Sequence, residues 1–245
     1  MARVALVTGA AGGIGASLAR ELARAGWRVV GCYRSRDDRA EALLDVARRE
    51  SWIDRISLRR CDIGDADARR AWCRGALDAE GRCDALVHAA GPFLRAPLLE
   101  QTDADLASLY ETNVVALHAL TREVAPAMRS RGWGRVLAFG LASTHRGAAP
   151  PSLAAYYCAK QAATSMTRAL ARELAPFGVT ANVLSPGVID SGGLPPGELE
   201  RLRPSIPAGY VGEARDAVAA AMWLLSDEAR YVSGTEVLVS GAWGL

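Results

Sequence analysis

The stretch RVALVTGAAGGIG, residues 3–15, decides how the chain is read. An apolar, β-branched run stops at Thr8 and gives way to glycines at 9, 13 and 15, and ASLAREL, residues 16–22, continues with helical period. Glycines so spaced allow a tight turn, close approach of the backbone to a pyrophosphate, and close packing of helix on strand. The helix N-terminus adds unbonded N–H groups and the positive end of its dipole. A glycine-rich turn alone is ordinary; between the first strand and first helix of an alternating chain it reads as a phosphate cradle.

Outward from that turn, short apolar runs alternate with longer helical stretches. The strand candidates are RVALVT, WRVVGCY, DRISLRRCD, DALVHAA, GRVLAFG, VTANVLS and TEVLVSG. Helices are expected over ASLARELARAG, RAEALLDVARRE and near 65–80, 103–131, 153–176 and 213–226. Seven strands separated by helices predict an α/β fold with a mostly parallel, doubly wound seven-stranded sheet, covered on both faces and linked by right-handed crossovers. With no linker or charge block, residues 1–245 read as one domain. Ligands in such sheets bind beyond the carboxyl ends of the strands, where strand order reverses. The Gly/Pro-rich stretch 191–210, after the sixth strand, reads as a flexible substrate flap.

Bulk properties exclude several classes. The net charge of the 245 residues is +2 and the charges are scattered, which offers no electrostatic track for nucleic acid or an acidic membrane. The apolar run at the start is too short for a signal-peptide core or a membrane span, so a cytoplasmic location is expected. Five dispersed cysteines point to reduced thiols, and three unclustered histidines to no metal site.

Lysine occurs once, at the end of AAYYCAK, residues 154–160; the other 28 basic side chains are arginines. An amine can lower its pKa and donate from a compact tip, which a guanidinium cannot. Tyr156 stands four residues before Lys160 and shares its helix face, whereas Tyr157 points about a quarter turn away. A phenol with a pKa near 10 exchanges protons poorly at neutral pH, and a nearby ammonium is expected to lower that value.

The second strand ends WRVVGCYRSRDD. A site for NAD would place a carboxylate at that end to bond the ribose 2′-hydroxyl. Here stand Tyr33, Arg34, Ser35 and Arg36, which would grip a 2′-phosphate; the cofactor is therefore read as NADP(H), the other reading being ordinary surface arginines.

The pattern Thr8-Gly9-x-x-x-Gly13-Ile14-Gly15, joined to Tyr156-x-x-x-Lys160, resembles the short-chain dehydrogenase/reductase family, in its 3-oxoacyl-(acyl-carrier-protein) reductase-like branch, over essentially the whole chain. The resemblance implies a Rossmann-type fold and a bound nicotinamide cofactor. It gives Asp62, with Ile63, to the adenine, and His88-Ala89-Ala90-Gly91 stands where relatives carry Asn-Asn-Ala-Gly. Pro186-Gly187, Ile189 and Ser191 fall to the nicotinamide side, and Lys160 to the ribose hydroxyls. Asn113 matches the asparagine that bends the long helix and holds a water in a relay to the lysine, and a tetramer is the usual assembly.

The family's serine, which holds the substrate carbonyl, is ambiguous in this chain. Counting back 13 residues from Tyr156 gives Ser143, whereas counting forward from Gly134-Arg135-Val136 gives Gly140 and Leu141. Ser143 is preferred because the pocket needs a hydroxyl, with Thr144 its one neighbour able to substitute.

The resulting reading is an NADPH-dependent reductase of a carbonyl on a largely apolar small-molecule substrate (a 3-oxoacyl thioester, polyketide or cyclic ketone), with Phe93, Leu94, Leu194, Ile206 and Tyr210 near the pocket. Phe177 stands where carrier-protein-docking relatives often have a basic residue. The alternatives are a pteridine-reductase-like enzyme and a catalytically silent NADP(H)-binding sensor.

Overall fold

The computed structural model describes residues 2–144, 149–192 and 197–245. Seven parallel strands form one sheet in the order β3-β2-β1-β4-β5-β6-β9: β1 (Val4–Thr8), β2 (Arg28–Tyr33), β3 (Ile56–Arg60), β4 (Ala85–His88), β5 (Gly134–Phe139), β6 (Val179–Pro186) and β9 (Glu236–Val239). Strands of alternating direction of side chain explain the two cores. Val4 and Leu6 of β1 pack on one face, and Ala5 and Val7 on the other. The first face is covered by α3 (Ala66–Glu80), α5 (Ala116–Arg131) and α6 (Ala154–Leu174), the second by α1 (Gly13–Arg24), α2 (Asp37–Arg49) and α8 (Ala214–Leu224). The doubly wound, Rossmann-type reading of the sequence holds, with all seven strand candidates in place.

One feature was not expected, and a second gives form to the bend that the resemblance placed at Asn113. A short pair, β7 (Ile189–Asp190) and β8 (Gly212–Glu213), brackets the stretch 191–210, which also carries α7 (Glu198–Leu202). The long helix expected over 103–131 is divided: α4 (Asp103–Tyr110) runs into a π-helical turn at Glu111–Val115 and then into α5. Ala116 N–H reaches back five residues to Glu111 O there. The added residue follows from side chains that take helix carbonyls: Asn113 Nδ2 donates to Leu109 O at 2.8 Å, and His88 Nε2 lies 2.9 Å from Thr112 O.

The start of the sheet is stitched by Asp84, which is almost fully buried. Its carboxylate accepts from Val4 N (2.8 Å) and from Arg82 Nε and Nη2 (2.8 and 2.7 Å), while its backbone bonds Val4 O and Arg135 N. One residue thus ties the first residues of β1, β4 and β5. Replacing it orphans a buried N–H and two guanidinium bonds. Asp84→Ala should lower the stability by about 2–4 kcal/mol at unchanged m-value in urea unfolding, and Asp84→Asn by less.

Candidate active site

Strand order reverses between β1 and β4, and the turns that leave their carboxyl ends touch. Gly9 has φ +71°, and a Cβ there would lie 2.9 Å from Ala90 N. Gly13 has φ +48°, with Ser191 Cβ and Oγ 3.1 and 3.2 Å from the place of a side chain, and a Cβ on Gly15 would run into Gly9 O. The turn therefore fits only without side chains, packed directly against the turn after β4 and against Ser191. No side chain caps α1, whose first N–H groups open onto this cradle, and Ile14 anchors the turn in the second core.

Tyr33 ends β2 half-buried, and Arg34, Ser35 and Arg36 follow it on the surface. Arg60 Nε holds Arg34 O at 3.0 Å, which fixes the loop while leaving the Arg34 guanidinium to solvent. Arg36 meets Asp38 only loosely, at 3.4 Å. Arg39, one turn on, donates to Gly192 O at 2.8 Å and joins this loop to the segment after β7. After β3, exposed Asp62 accepts from Gly64 N at 2.9 Å and buried Ile63 points into the first core. The exposed Arg34, with Arg36 held only at 3.4 Å by the equally exposed Asp38, suits a 2′-phosphate, so the residues present fit a phosphorylated dinucleotide.

The second turn is organised by a residue that the sequence reading passed over as an irregularity. Thr8 Oγ1 accepts from Ala90 N at 3.1 Å and lies 3.2 Å from His88 Nδ1. Because the carbonyl of Thr112 can only accept, Nε2 of His88 carries the proton and Nδ1 accepts from Thr8. Burial, and next the charge of Lys160, push the His88 pKa down to about 4, so the ring is neutral. His88 thereby couples the cradle to the π-turn. A Cβ on Gly91 would lie 2.7 Å from Asn113 Oδ1 and 3.3 Å from Lys160 Nζ, so a bare backbone lets Ala89, Ala90 and Gly91 pass beside both groups.

Lys160 is buried and donates to Phe139 O at 2.8 Å; burial lowers its pKa to about 8. Its Nζ stands 5.6 Å from the centre of the Tyr156 ring. Tyr156 packs edge-on to Phe93 at 5.3 Å and among Leu94, Leu109, Ala155 and Ala159, which form an apolar wall. The expected lowering of the Tyr156 pKa is not what the structure shows. Burial, and next the neighbouring Tyr157 phenol, push it up to about 12, because an ammonium that is itself drawn from water and turned to a carbonyl gives the phenolate too little relief.

Ser143 lies on the turn after β5, buried, and its hydroxyl is hydrogen-bonded to the hydroxyl of Tyr157. Gly140 has no room for a side chain, since Ser185 Oγ and Val183 Cγ1 fill the space, and Leu141 carries no hydroxyl. Gly187 N donates to Val239 O at 3.0 Å, placing Pro186 and Gly187 at the carboxyl end of β6 with buried Ile189 next to them. Ile206 is buried against Gly241, and Tyr210 lines a cleft with Ile189 and Ser240. Leu194 lies outside the described residues. Sequence reading missed His88, Arg39 and Tyr157, since each acts through a partner 24 to 153 positions away or, for Tyr157, 14.

Among the described residues no cluster of three metal-ligating side chains occurs, and no helix is long and apolar enough to cross a membrane. Comparison with known proteins gives a consistent answer. The family model described as enoyl-(acyl carrier protein) reductase matches residues 9–243. The chain is similar to nodulation protein G of Rhizobium sp. (strain N33), 32% identical over 98% of this chain and 96% of the relative. Acetoacetyl-CoA reductase of Rhizobium meliloti (strain 1021) is 29% identical with 98% of each chain covered, as is 3-oxoacyl-(acyl-carrier-protein) reductase FabG of Staphylococcus aureus. Among solved structures, a blue fluorescent protein from a metagenomic library in complex with NADPH superposes with a TM-score of 0.90, at 32% identity, over 99% of this chain and 98% of that one.

The neutral His88 ring fixes the sign of a pH dependence. Its folded pKa of about 4 lies below the ordinary 6.5, so as pH falls the unfolded chain takes up the proton first and stability declines across that window. His88→Asn removes this titration. Its stability in urea unfolding should vary less than wild type between pH 6.5 and 4, by up to about 3 kcal/mol.

Proposed function

The chain belongs to the short-chain dehydrogenase/reductase family, and from that premise we propose that it is an NADPH-dependent carbonyl reductase acting on a 3-oxoacyl thioester or a similarly apolar ketone. The observation that carries the reading is that Asn113 and Lys160 both meet Gly91, beside the glycine cradle at the strand-order reversal, with the centre of the Tyr156 ring 5.6 Å from the Lys160 amine. The names of the acetoacetyl-CoA and 3-oxoacyl reductases to which it is similar, and the apolar wall of Phe93, Leu94 and Leu109, support the substrate class.

When bound, NADPH supplies the hydride. Gly9, Gly13, Gly15 and the start of α1 would hold its pyrophosphate, Arg34 and Arg36 its 2′-phosphate, and Ser191, Pro186, Gly187 and Ile189 the nicotinamide end. Tyr156 donates the proton to the carbonyl oxygen, and its high pKa keeps that proton in place until negative charge develops on the oxygen. Ser143 holds the same oxygen by a hydrogen bond. Lys160 would hold the ribose hydroxyls and, with Asn113 and a water, would return a proton to Tyr156. Exposed apolar side chains at Leu106, Tyr110 and Val115 and at Trp223 support a homo-oligomer, and we read the enzyme as cytoplasmic.

NADPH oxidation with acetoacetyl-CoA and a panel of aromatic ketones and pterins tests the reading. Tyr156→Phe should lower kcat by about 10²–10⁴-fold with NADPH still bound; tight NADPH binding without turnover of any substrate would instead favour a nucleotide sensor. Arg34→Ala with Arg36→Ala should raise the KM for NADPH about tenfold or more while leaving that for NADH nearly unchanged, and equal effects on both cofactors would remove the 2′-phosphate assignment.

A further inference from the structure

The serine of this site sits two residues later than the strand register places it, and a different tyrosine meets it. After β5 the chain stays in register with β6 for a further stretch, Gly140 N bonding Leu184 O and Ala142 N bonding Pro186 O. It then turns at Leu141–Thr144, where Thr144 N and Oγ1 both bond Leu141 O. The turn swings Ser143 toward α6, whose Gln161 side chain takes Thr144 O at 2.5 Å. Tyr157, one position after Tyr156 and a quarter turn around the helix, is buried and has its hydroxyl on Ser143 Oγ. On the other side the chain end closes in: Gly244, at φ +86°, lies so near that a Cβ there would be 2.9 Å from Ser143 Cα and Cβ. Ser143 is therefore held at its hydroxyl by Tyr157 and at its backbone by Gly244.

Resting on the reductase reading above, we propose that Tyr157 is a positioning residue that donates its phenol proton to Ser143 Oγ and leaves the Ser143 proton free for the substrate carbonyl oxygen. A serine hydroxyl has one proton and two acceptor lone pairs. If Ser143 gave its proton to Tyr157, it would have none for the substrate; if Tyr157 gives, the serine is aimed and polarised by one bond, because hydrogen bonds in a chain strengthen one another in a buried site. The two adjacent tyrosines thus divide the work. Tyr156 faces the reacting carbonyl and Lys160, and Tyr157 supports the residue that steadies the same oxygen. The arrangement offsets the two-residue shift of the serine: a side chain on a longer turn has more orientations to lose, and a fixed donor selects one.

Steady-state reduction by NADPH of a ketone that wild type turns over tests this in a double-mutant cycle. Tyr157→Phe keeps the ring and removes only the hydroxyl; kcat should fall about 10- to 100-fold with the KM for NADPH unchanged, and Tyr157→Phe/Ser143→Ala should be no slower than Ser143→Ala alone. A merely structural role for Tyr157 would slow the double variant further, and that result overturns the proposal, as does a Tyr157→Phe kcat within about twofold of wild type. Should Tyr157→Phe not fold, site-specific fluorotyrosine at 157 keeps the shape and makes a stronger donor. Its kcat should equal or exceed that of wild type, and a loss would show that Tyr157 accepts instead. A harmless Ser143→Ala beside a crippled Tyr156→Phe would overturn the Tyr157 inference and leave the reductase reading standing, whereas an active Tyr156→Phe would remove both.

Discussion

The hydroxyl of Thr8 is the joint on which the site is built. It ends the first strand, takes the N–H of Ala90 from the turn after the fourth, and gives its own proton to His88. Those bonds cross the line where strand order reverses, the place at which a doubly wound sheet opens a crevice. From His88 the chain of bonds passes to the carbonyl of Thr112, and so to the π-turn that aims Asn113. A parallel sheet buried on both faces leaves few backbone groups unpaired inside it, and this series of bonds satisfies polar atoms that would otherwise be orphaned at the crevice floor.

Burial governs the electrostatics of the site more than charge pairing does. The amine of Lys160, the phenol of Tyr156 and the ring of His88 are all pushed toward their neutral forms by withdrawal from water. The surface arginines after the second strand lie in the opposite regime, solvated and still charged, which is what capture of a phosphate requires. One end of the crevice therefore stores protons and the other presents charge.

Much of this was legible in the chain. The inner strands were legible because a parallel sheet covered on both faces buries them along nearly their whole length, whereas β3 and β9 at its edges are only partly buried. The glycines at 9, 13 and 15 were readable because backbone contact excludes a Cβ, and Tyr156 with Lys160 because four residues are about one helical turn. The serine had two registers, and the count back from Tyr156 gave Ser143, the one preferred. What the sequence could not supply is the turn at Leu141–Thr144, and the Ser185 hydroxyl that leaves Gly140 no room for a side chain. His88 looked like a departure from a family pattern, and its bonds to Thr8 and Thr112 show that it joins two distant turns, which its place in the sequence does not reveal.

By itself the sequence determined the alternation of strand and helix, the cradle and the tyrosine–lysine pair, since each depends on spacings of a few residues that local geometry converts directly into a shared face or a tight turn. The tertiary structure alone decided which carbonyl holds Lys160, which tyrosine meets Ser143, how high the Tyr156 phenol titrates and where Arg39 reaches. Those outcomes depend on groups from distant elements brought within hydrogen-bonding range and on the water that their packing removes, and neither quantity is a property of any short stretch of chain.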